Sequence, residues 1–597
     1  MSDSIRIGNA SGFYGDRFSG MREMLEGGDL DYLTGDYLAE LTMLILGRDR
    51  LTDPSTGYAK TFVRQLGGCL ELIAERKVRV VTNAGGLNPA GCAEQIRTII
   101  AESGLNLSVA HVEGDDLIGR VDELGLAEAG AGVVTANAYL GAFGIAEALR
   151  SGADIVVTGR VTDASVVVGP AIFEFGWGRE DFDQLAGAVV VGHILECGAQ
   201  ATGGNFSGWR DFVGQTNAAG MPGALDPAPL PLGFPLAELH ADGTSVITKH
   251  PGTGGAVTVD TVTAQLVYEV QAEPYLGPDV TTQLGSISLA SAGDNRVRIT
   301  GVVGTAPPET VKVGLNRLAG HRNSVEFLLT GLDIEGKAQW VRSQLDAALA
   351  ASGQAPEVIE WQLVNTTVED PQTQEAATSI LRCHVKSTDP QRVDRAFSGA
   401  AVELALASYP GFALTRPPGP GTPYGVFGAA YVPQTDVPHV VVLGDGTRLD
   451  IPAPTPDSLR NPSGGAQRGT ADCAISRESV ASVSRVPLGR LVHARSGDKG
   501  GNANVGLWIP AGHPRRDEAF AWLSDLLTVD EVRRLLPEAA ELGIDIHALP
   551  NLAAVNIVIH GLLGEGVAAS TRIDPQAKAL GEWIRARHVD IPQELLP

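Results

Sequence analysis

Short apolar stretches alternate with helical patterns up to about residue 170, and this alternation constrains the fold more than any other feature of the chain. The stretches that read as buried strands are Ile5–Gly8, Asp31–Leu33, Val78–Thr82, Leu107–Val112, Val133–Ala136 and Ile155–Thr158. Strands that alternate with helices pair in parallel through right-handed crossovers. We therefore predict an α/β domain with a mainly parallel sheet over residues 1–235.

From about Leu236 the pattern changes to one rich in strands. The predicted strands are Val246–Lys249, Val257–Val259, Thr281–Leu289, Arg296–Val303, Val311–Leu315, Val358–Asn365 and Ser379–Ser387. Helical spacing is found near Ser324–Leu329, Lys337–Ser352 and Asp394–Ser408. A mixture of this kind favours an α+β region over residues 236–451.

The end of the chain is predicted to form a separate small domain. Residues 452–486 are poor in large hydrophobic side chains and rich in Pro, Ser, Gly and Asp, which is typical of a linker. Beyond them, Leu491–Ala494 and Ala503–Ile509 read as strands joined by a polar loop, Arg495–Asn502. Further helical and strand patterns follow, so we predict a small α+β domain over residues 487–597.

Length and charge exclude several classes of protein. A chain of 597 residues is too long for one hydrophobic core. Its 45 Lys and Arg residues face 70 Asp and Glu residues, a formal net charge of −25, so neither nucleic acid nor an anionic membrane surface is an expected partner. Apolar runs end well before the roughly 18 residues of a membrane span, and the chain begins without the pattern of a signal peptide. The five cysteines form no CxxC pair. We predict a cytoplasmic protein without a metal site.

Reactive side chains are concentrated between residues 153 and 209. Asp163 follows the strand Ile155–Thr158, and His193 lies one helical turn before Glu196 and Cys197. These four residues are the predicted catalytic residues. A carboxyl in a glycine-rich site can have a raised pKa and act as general acid or base, whereas the thiol could act as a nucleophile if His193 lowered its pKa. The alternative is that Asp163 caps the next helix and Cys197 lies in the core.

Three glycine-rich loops follow predicted strands, beginning at Gly8, Asn83 and Gly159. None is a dinucleotide-binding or phosphate-loop motif. Loops of this kind converge at one edge of a parallel sheet, where ligands bind, although the glycines could equally serve only to make tight turns. The predicted substrate-binding residues in and near these loops are Asn9, Gly12, Asp36, Asn83, Gly85, Gly86, Gly159, Arg160 and Asn205.

Two further loops combine basic side chains with glycine. Lys249, His250 and Gly254 follow a predicted strand and could bind a phosphate or a carboxylate, or form a simple connection with the lysine in solvent. In the C-terminal domain, Ser496, Asp498 and Lys499 crowd into the loop Arg495–Asn502, which suggests a functional or a domain-docking role. All six residues are predicted to bind substrate.

At these residues the chain resembles the acyclic terpene utilization (AtuA) family, in its long form with a fused ferredoxin-like domain. The matching segments are Ile5–Gly15, Asp31–Glu40, Asn83–Pro89, Gly159–Ser165, Glu196–Gly204, His250–Gly255 and, in the tail, Ala494–Asn504. The resemblance implies a catabolic role in the breakdown of citronellol- and geraniol-type terpenes, close to acyl-CoA chemistry. It also implies that the tail has a ferredoxin-like fold.

Two main functions remain open. The first is an enzyme that acts on an acyl-CoA or carboxylated intermediate by acid/base chemistry, as a hydratase or lyase does, with CoA as part of the substrate. The second is a non-catalytic subunit or scaffold whose tail loop docks a partner of an acyl-CoA-processing complex. A nucleotide-dependent ligase is a weaker alternative, because phosphate-binding motifs are missing. The expected small-molecule partner is an acyl-CoA or a carboxylate, and a homo-oligomer is expected.

Overall fold

The computed structural model describes residues 3–126, 132–211, 231–454 and 482–597. Its strands are β1 (Ser4–Asn9), β2 (Tyr32–Gly35), β3 (Arg79–Thr82), β4 (Val109–Glu113), β5 (Val133–Ala138), β6 (Ile155–Thr158), β7 (Pro235–His240), β8 (Ser245–Lys249), β9 (Pro274–Leu276), β10 (Thr281–Gln283), β11 (Ser288–Ser291), β12 (Val297–Thr300), β13 (Val303–Thr305), β14 (Thr310–Thr330), β15 (Val358–Val364), β16 (Thr378–Ser387), β17 (Ala413–Leu414), β18 (Thr422–Pro433), β19 (Val440–Val442), β20 (Arg448–Asp450), β21 (Val483–Pro487), β22 (His493–Lys499), β23 (Asn502–Trp508), β24 (Ile544–Leu549), β25 (Ala554–Ile559) and β26 (His588–Pro592).

The helices pack against the main sheet, the sheet of β14 and the C-terminal sheet. They are α1 (Gly20–Gly27), α2 (Glu40–Thr52), α3 (Lys60–Gly67), α4 (Leu70–Arg76), α5 (Pro89–Glu102), α6 (Phe143–Arg150), α7 (Ser165–Phe175), α8 (Phe182–Leu195), α9 (Val259–Leu266), α10 (Ile334–Ala351), α11 (Pro390–Val393), α12 (Arg395–Glu403), α13 (Arg516–Leu526), α14 (Val529–Leu535) and α15 (Leu580–Ala586). None of the helices in the described part of the chain is long and apolar enough to cross a bilayer.

The main sheet has eleven strands in the order β11-β12-β8-β7-β1-β2-β3-β6-β4-β19-β20. Its centre, from β1 to β4, is parallel, as the strand–helix alternation predicts. The flanking strands pair antiparallel, so a mainly parallel sheet is correct only for the centre. Strands β7, β8, β11 and β12, which follow residue 235, continue the same sheet.

The central strands are buried on both faces, which explains their continuous β-branched sequence. One face packs against α1, α3, α4 and α5, and the other packs against α6, α7 and α8. The start of α5 shows how local sequence sets an element: the side chain of Asn88 accepts a hydrogen bond from the Gly91 amide at 2.9 Å, and Pro89 occupies the first turn.

A second sheet is organised around the 21-residue strand β14, which pairs antiparallel with β5, β16, β17 and β18. Two predictions were wrong here. Val133–Ala136 belongs to this sheet rather than to the parallel one. Ser324–Leu329 is strand rather than helix, because Val325, Phe327 and Leu329 alternate with more exposed residues and point to one buried face, against α10 and α12.

The segment Val257–Val259, predicted as a strand, leads instead into helix α9. Thr258 and Thr261 form a reciprocal capping box at the start of that helix: each side chain accepts a hydrogen bond from the backbone amide of the other residue. The β-branched residues Val257 and Val259 favour a strand by propensity, but the two threonine caps satisfy the free amides of the first helical turn. Local capping therefore outweighs strand propensity at this position.

The C-terminal domain contains a four-stranded antiparallel sheet, β22-β23-β25-β24, and a separate pair, β21-β26. The polar segment predicted as a loop is mostly strand: β22 runs to Lys499 and pairs with β23, which starts at Asn502, so the loop is only the turn at Gly500 and Gly501. Of the predicted linker, residues 455–481 lie outside the described residues.

The C-terminal domain packs closely on the main sheet's domain. The indole of Trp508 is buried in the same apolar cluster as α8 and α9, and its Nε1 donates to the carboxylate of Asp260 at 3.1 Å. The side chain of Asn504 accepts from the backbone amide of Glu269 at 2.7 Å, and the side chain of Asn556 donates to the carbonyl of Val270 at 2.9 Å. These contacts place hairpin β22–β23 beside the C-terminal ends of the parallel strands.

Candidate active site

A cavity of about 540 Å³ lies at the carboxyl ends of the central strands, and we call it the first cavity. Gly12 follows β1, Asp36 follows β2, and Arg160 follows β6, so three loops after parallel strands form its floor. Strand β18 forms another wall. The C-terminal domain closes it with Asp498, Lys499 and Lys578. Both domains thus contribute to one site at the place where open α/β sheets bind ligands.

The first cavity is rich in ionisable groups. Among the described residues that line it, seven are Asp or Glu and three are Lys or Arg. The carboxyl residues are Asp16, Asp36, Glu40, Asp163, Glu196, Glu269 and Asp498. Burying so many charges is costly unless they are paired or change their protonation. The arrangement therefore favours proton exchange over simple apolar binding.

Helix α8 ends at the cavity with a buried pair, His193 and Glu196. The Nδ1 of His193 lies 3.3 Å from Oε1 of Glu196, and the two side chains are only 5% and 6% exposed. The other oxygen, Oε2 of Glu196, is buried and has no hydrogen-bond partner among the described residues. Such an unsatisfied oxygen on the wall of a cavity is available to a ligand.

Burial raises the pKa of the Glu196 carboxyl, although the neighbouring His193 opposes that shift. Burial by itself would lower the pKa of His193, but the attraction of the Glu196 carboxylate raises it overall. The two groups therefore hold a proton between them more readily than either would alone in water. This is the property that general acid–base catalysis at neutral pH requires.

Arg160 is held rigidly beside the pair. Its Nη2 lies 2.8 Å from Oδ1 of Asp163, and its Nη1 donates to the carbonyl of Leu38 at 3.2 Å. The guanidinium also lies 4.1 Å from the centre of the Tyr139 ring. Asp163 lies three residues after Arg160, at a spacing that a helix cap would have, but it lines the cavity. Arg160 is thus a positioned cation whose charge is largely matched by Asp163.

Asp36 lies on the same floor, with its Oδ1 accepting from Nδ2 of Asn83 at 2.6 Å. Burial, and then repulsion from Asp163, raise the pKa of Asp36 well above its ordinary value. Asn83 also accepts from the amide of Tyr37 at 2.8 Å through its Oδ1. Asn83 therefore orients the Asp36 carboxyl through this hydrogen bond and does not itself line the cavity.

The C-terminal domain supplies the opposite wall. The Nζ of Lys499 lies 3.6 Å from Oε2 of Glu269. Burial by itself would lower the pKa of Lys499, but Glu269 and other acidic neighbours raise it well above its ordinary value, so the ammonium stays charged. Burial, with repulsion from Glu269 and Glu40, raises the pKa of Asp498 to about 7. A fixed cation and a carboxyl that titrates near neutrality therefore stand side by side.

A second cation on this wall, Lys578, donates from Nζ to the hydroxyl of Tyr268 at 2.9 Å. The guanidinium of Arg495 lies 4.1 Å from the centre of the same Tyr268 ring and donates to Gln200. Arg495 is 3% exposed and Ser496 is 1% exposed. The segment Arg495–Asn502 thus lies against its own chain and not on a free surface.

Cys197 has no features of a nucleophile. Burial, and then repulsion from Glu196, raise the pKa of its thiol well above the ordinary value. Its backbone is so close to Gly12 that a Cβ on that glycine would lie 2.6 Å from the Cys197 carbonyl carbon. Since the thiolate is the reactive form, the geometry favours a packing role for Cys197.

The structure brings together most of the residues predicted from the sequence. Those that line the first cavity are Gly12, Asp36, Arg160, Asp163, Glu196, Cys197, Asn205, Asp498 and Lys499. His193 lies directly behind Glu196. The side chain of Asn9 donates to the carbonyls of Leu195 and Glu196, so it holds the end of α8. Gly85, Gly86 and Gly159 form the turns beneath the floor, where a Cβ on Gly159 would lie 2.4 Å from Oδ1 of Asp115.

The remaining predicted residues lie apart from the lining of the first cavity. Lys249 donates to the carbonyl of Thr253 at 2.7 Å, in its own loop, and so its ammonium is already satisfied. The Nε2 of His250 lies 3.0 Å from the carbonyl of Met24, against α1. The carbonyl of Gly254 accepts a hydrogen bond from the backbone amide of Gly233, so Gly254 helps to hold two loops together. Ser496 accepts from the amide of Gly581 at 2.9 Å and supports the start of α15.

The sequence reasoning missed Glu269, Lys578, Tyr268 and Tyr139. For Glu269 a signal was present in the sequence, since it is an acidic residue inside the apolar run Leu266–Val270. In the structure its φ is 58°, which is unusual for such a residue. Lys578 has no comparable local signal, because only the packing of two domains brings it to the cavity. Over the described ranges, no group of His, Cys, Asp and Glu side chains has the arrangement of a metal site.

Comparison with known protein families gives two matches. The model of the acyclic terpene utilisation family protein AtuA matches residues 5–443, and that of the AtuA ferredoxin-like domain matches residues 486–590. Both confirm the resemblance read from the sequence. Comparison with curated proteins gives no match.

Proposed function

This chain belongs to the acyclic terpene utilisation family AtuA, and from that premise we propose that the first cavity is the active site of an enzyme that transfers protons on an acyl thioester or carboxylate. The family implies a role in acyclic terpene utilisation. The reaction we propose is of the hydratase or lyase type, in which a proton is removed next to a carbonyl group and a leaving group is protonated.

The unpartnered Oε2 of Glu196 carries this proposal. It is buried, it faces the cavity, and His193 stands behind it at 3.3 Å from the other oxygen. In the dehydration direction, the Glu196 carboxylate removes the proton from the carbon next to the carbonyl, and the electron pair of that C–H bond moves onto the carbonyl oxygen. The pair then returns to form the carbon–carbon double bond as the bond to the hydroxyl on the next carbon breaks, and the hydroxyl leaves as water with a proton from Asp498. The neighbouring His193 compensates for the negative charge that Glu196 loses when it takes up the proton.

The cations of the first cavity stabilise the negative charge that this reaction creates. An oxyanion that forms on the carbonyl oxygen needs a fixed positive charge, which is worth most where water is excluded. Lys499 and Lys578 supply such charges, since both line the cavity. Asp498, with its pKa raised to about 7 by burial, is the acid that protonates the leaving hydroxyl. The amide of Asn205 is a further donor for the carbonyl. Hydration is the reverse of these steps.

The test begins with thermal stabilisation of the purified protein by branched acyl-CoA thioesters, free CoA, nucleotides and divalent metals. A thioester that raises the melting temperature is then used as substrate in D2O, and incorporation of deuterium next to the carbonyl is followed by NMR. Glu196→Gln is expected to slow this exchange by about 100-fold or more and to leave the affinity for the thioester nearly unchanged.

The matched control is Glu238→Gln, which removes a carboxylate of β7 that pairs with Arg296 and does not line the first cavity. It should leave the exchange rate at the wild-type value. Full exchange activity in Glu196→Gln would remove Glu196 from the mechanism. Stabilisation by nucleotide and metal alone would favour a ligase instead.

A further inference from the structure

A second cavity of about 610 Å³ lies between the sheet of β14 and β16 and the connection from β25 to α15. We call it the second cavity. The proposed reaction uses none of the residues that line it. Its walls come from two domains, as those of the first cavity do: Arg322 and His384 belong to the sheet, and Thr571 and Arg572 belong to the C-terminal domain.

The charge of the second cavity is one-sided. Its cations are Arg322, Arg382, Lys386, Arg416 and Arg572, and among the described residues that line it there is no Asp or Glu. The whole chain, in contrast, carries a formal net charge of −25. Concentrating five cations in one cavity of an acidic protein raises their mutual repulsion, which an anion would relieve.

Nearby carboxylates pair with two of these five cations and leave three without an ion pair. Arg382 lies 3.4 Å from Glu326, and Arg572 is paired with Glu538. Arg322, Lys386 and Arg416 form no ion pair with any Asp or Glu of the described ranges.

Arg322 is the most enclosed of these three unpaired cations, and burial lowers the pKa of its guanidinium. Lys386 lies 5.6 Å from the centre of the Tyr424 ring, which attracts a cation only weakly. Three positive charges are therefore left for a ligand.

His384 adds a neutral polar group. Its Nε2 is buried and has no hydrogen-bond partner among the described residues. Burial, and then repulsion from Arg382, lower its pKa to about 4, so the ring is uncharged at neutral pH. Arginine forks and a neutral ring nitrogen are suited to the several oxygens of a phosphate group.

The two cavities are neighbours along the chain and in space. Arg322 of the second cavity donates from Nη1 to the carbonyl of Ala568 at 2.6 Å, and Ala568 lines the first cavity. Strand β18 contributes Thr422 to the second cavity and Gly425 to the first. Three residues of a strand span about 10 Å. One extended ligand can therefore contact both.

We infer that the second cavity binds the phosphate groups of an organic phosphate whose reacting end lies in the first cavity. The link between the two cavities rests on the proposed function, whereas the anion site itself does not. A thioester of CoA and a nucleotide share the phosphate chemistry that these cations recognise. The experiment has to separate these two sources.

The experiment measures dissociation constants by calorimetry for CoA, 3′-dephospho-CoA, ADP, pyrophosphate and pantetheine, which carries no phosphate. Arg416→Ala and Lys386→Ala remove unpaired cations near the mouth. Each is expected to weaken CoA, ADP and pyrophosphate by about tenfold and to leave pantetheine unchanged. Arg395→Ala, an exposed arginine of α12 outside the cavity, is the matched control and should change nothing.

The outcomes separate the two proposals. Wild-type protein that binds none of the phosphate probes, or variants that bind them as the wild type does, would overturn the anion site. Tighter binding of 3′-dephospho-CoA than of ADP supports a ligand that spans both cavities, because the two share a diphosphate and differ in the pantetheine arm, and equal binding overturns that link. If Arg416→Ala weakens CoA while Glu196→Gln keeps full exchange activity, the anion site stands and the proposed reaction fails. The reverse pattern would retain the reaction and reject the site.

Discussion

The two cavities lie next to each other but differ in how their charges are balanced. In the first cavity, cations form ion pairs with carboxylates, as in Arg160–Asp163 and Lys499–Glu269. In the second, Arg322, Lys386 and Arg416 lack such partners in the described ranges. A set of buried charges of both signs can exchange protons, because each group shifts the pKa of its neighbours. An unbalanced set attracts a ligand of opposite charge.

The difference also has a consequence for stability. Charges that are paired and buried cannot be removed one at a time without leaving the partner unsatisfied. Charges that face solvent without a partner can be removed at little cost. Substitutions in the two cavities should therefore behave differently, and three of them test this contrast.

The largest effect is expected for Lys499→Met. The substitution leaves the Glu269 carboxylate without its main cation, at a site where the two side chains are 27% and 24% exposed. We expect the free energy of unfolding in urea to fall by about 2 kcal/mol, below the range for fully buried pairs because of that exposure. Activity should be lost as well.

The double variant Lys499→Met/Glu269→Gln serves as the control, because it removes both charges. It should recover most of the lost stability but none of the activity. A single variant as stable as the wild type would contradict the view that the first cavity is balanced by pairs.

An intermediate effect is expected for Asp498→Asn, through pH. The folded protein raises the pKa of Asp498 from an ordinary value of about 3.9 to about 7. A raised pKa means that folding favours the protonated carboxyl, so its contribution to stability is complete below about pH 4 and is lost as the pH rises through 7. The variant should lack this component of the pH dependence of unfolding.

The same substitution should remove the limb of the pH–activity profile near pH 7. Unfolding is measured by urea titration between pH 4 and pH 8 in both proteins, with Asp545→Asn, an exposed carboxyl paired with His560, as the control. Identical pH profiles for the wild type and Asp498→Asn would show that Asp498 ionises as an ordinary carboxyl.

The smallest effect is expected for Arg416→Ala in the second cavity. Arg416 is exposed and has no ion pair within the described residues, so its removal should change the free energy of unfolding by no more than about 0.5 kcal/mol. A loss of stability comparable to that of Lys499→Met would mean that the two cavities do not differ in how their charges are paired.

Much of the central fold is predictable from the sequence. The strand Ile155–Thr158 is fully buried, and Arg79–Thr82 is buried apart from Arg79. Residues buried on both faces of a sheet give a continuous apolar run that is easily read. The position of Asp36 and Arg160 in one cavity also follows, since loops after parallel strands meet at one edge.

Other features were not predictable by local patterns. The alternation in Ser324–Leu329 covers only six residues, which also suits a helix, and only pairing with β16 and β17 makes it strand. Lys249 and His250 have the composition of an anion site, but their polar atoms are satisfied by Thr253 and Met24. Composition shows which groups are present and not which partners they find.

The sequence by itself determined the family, the parallel centre of the sheet and the loop residues at its edge, because these depend on short-range periodicity and on motifs. Tertiary structure alone decided that Lys499, Asp498 and Lys578 complete the first cavity, and that Arg322 and Arg572 face each other across the second. Residues separated by 250 positions in the chain meet only when two domains pack. The shifted pKa values and the unpaired charges arise from that packing, since burial and neighbouring charges set them.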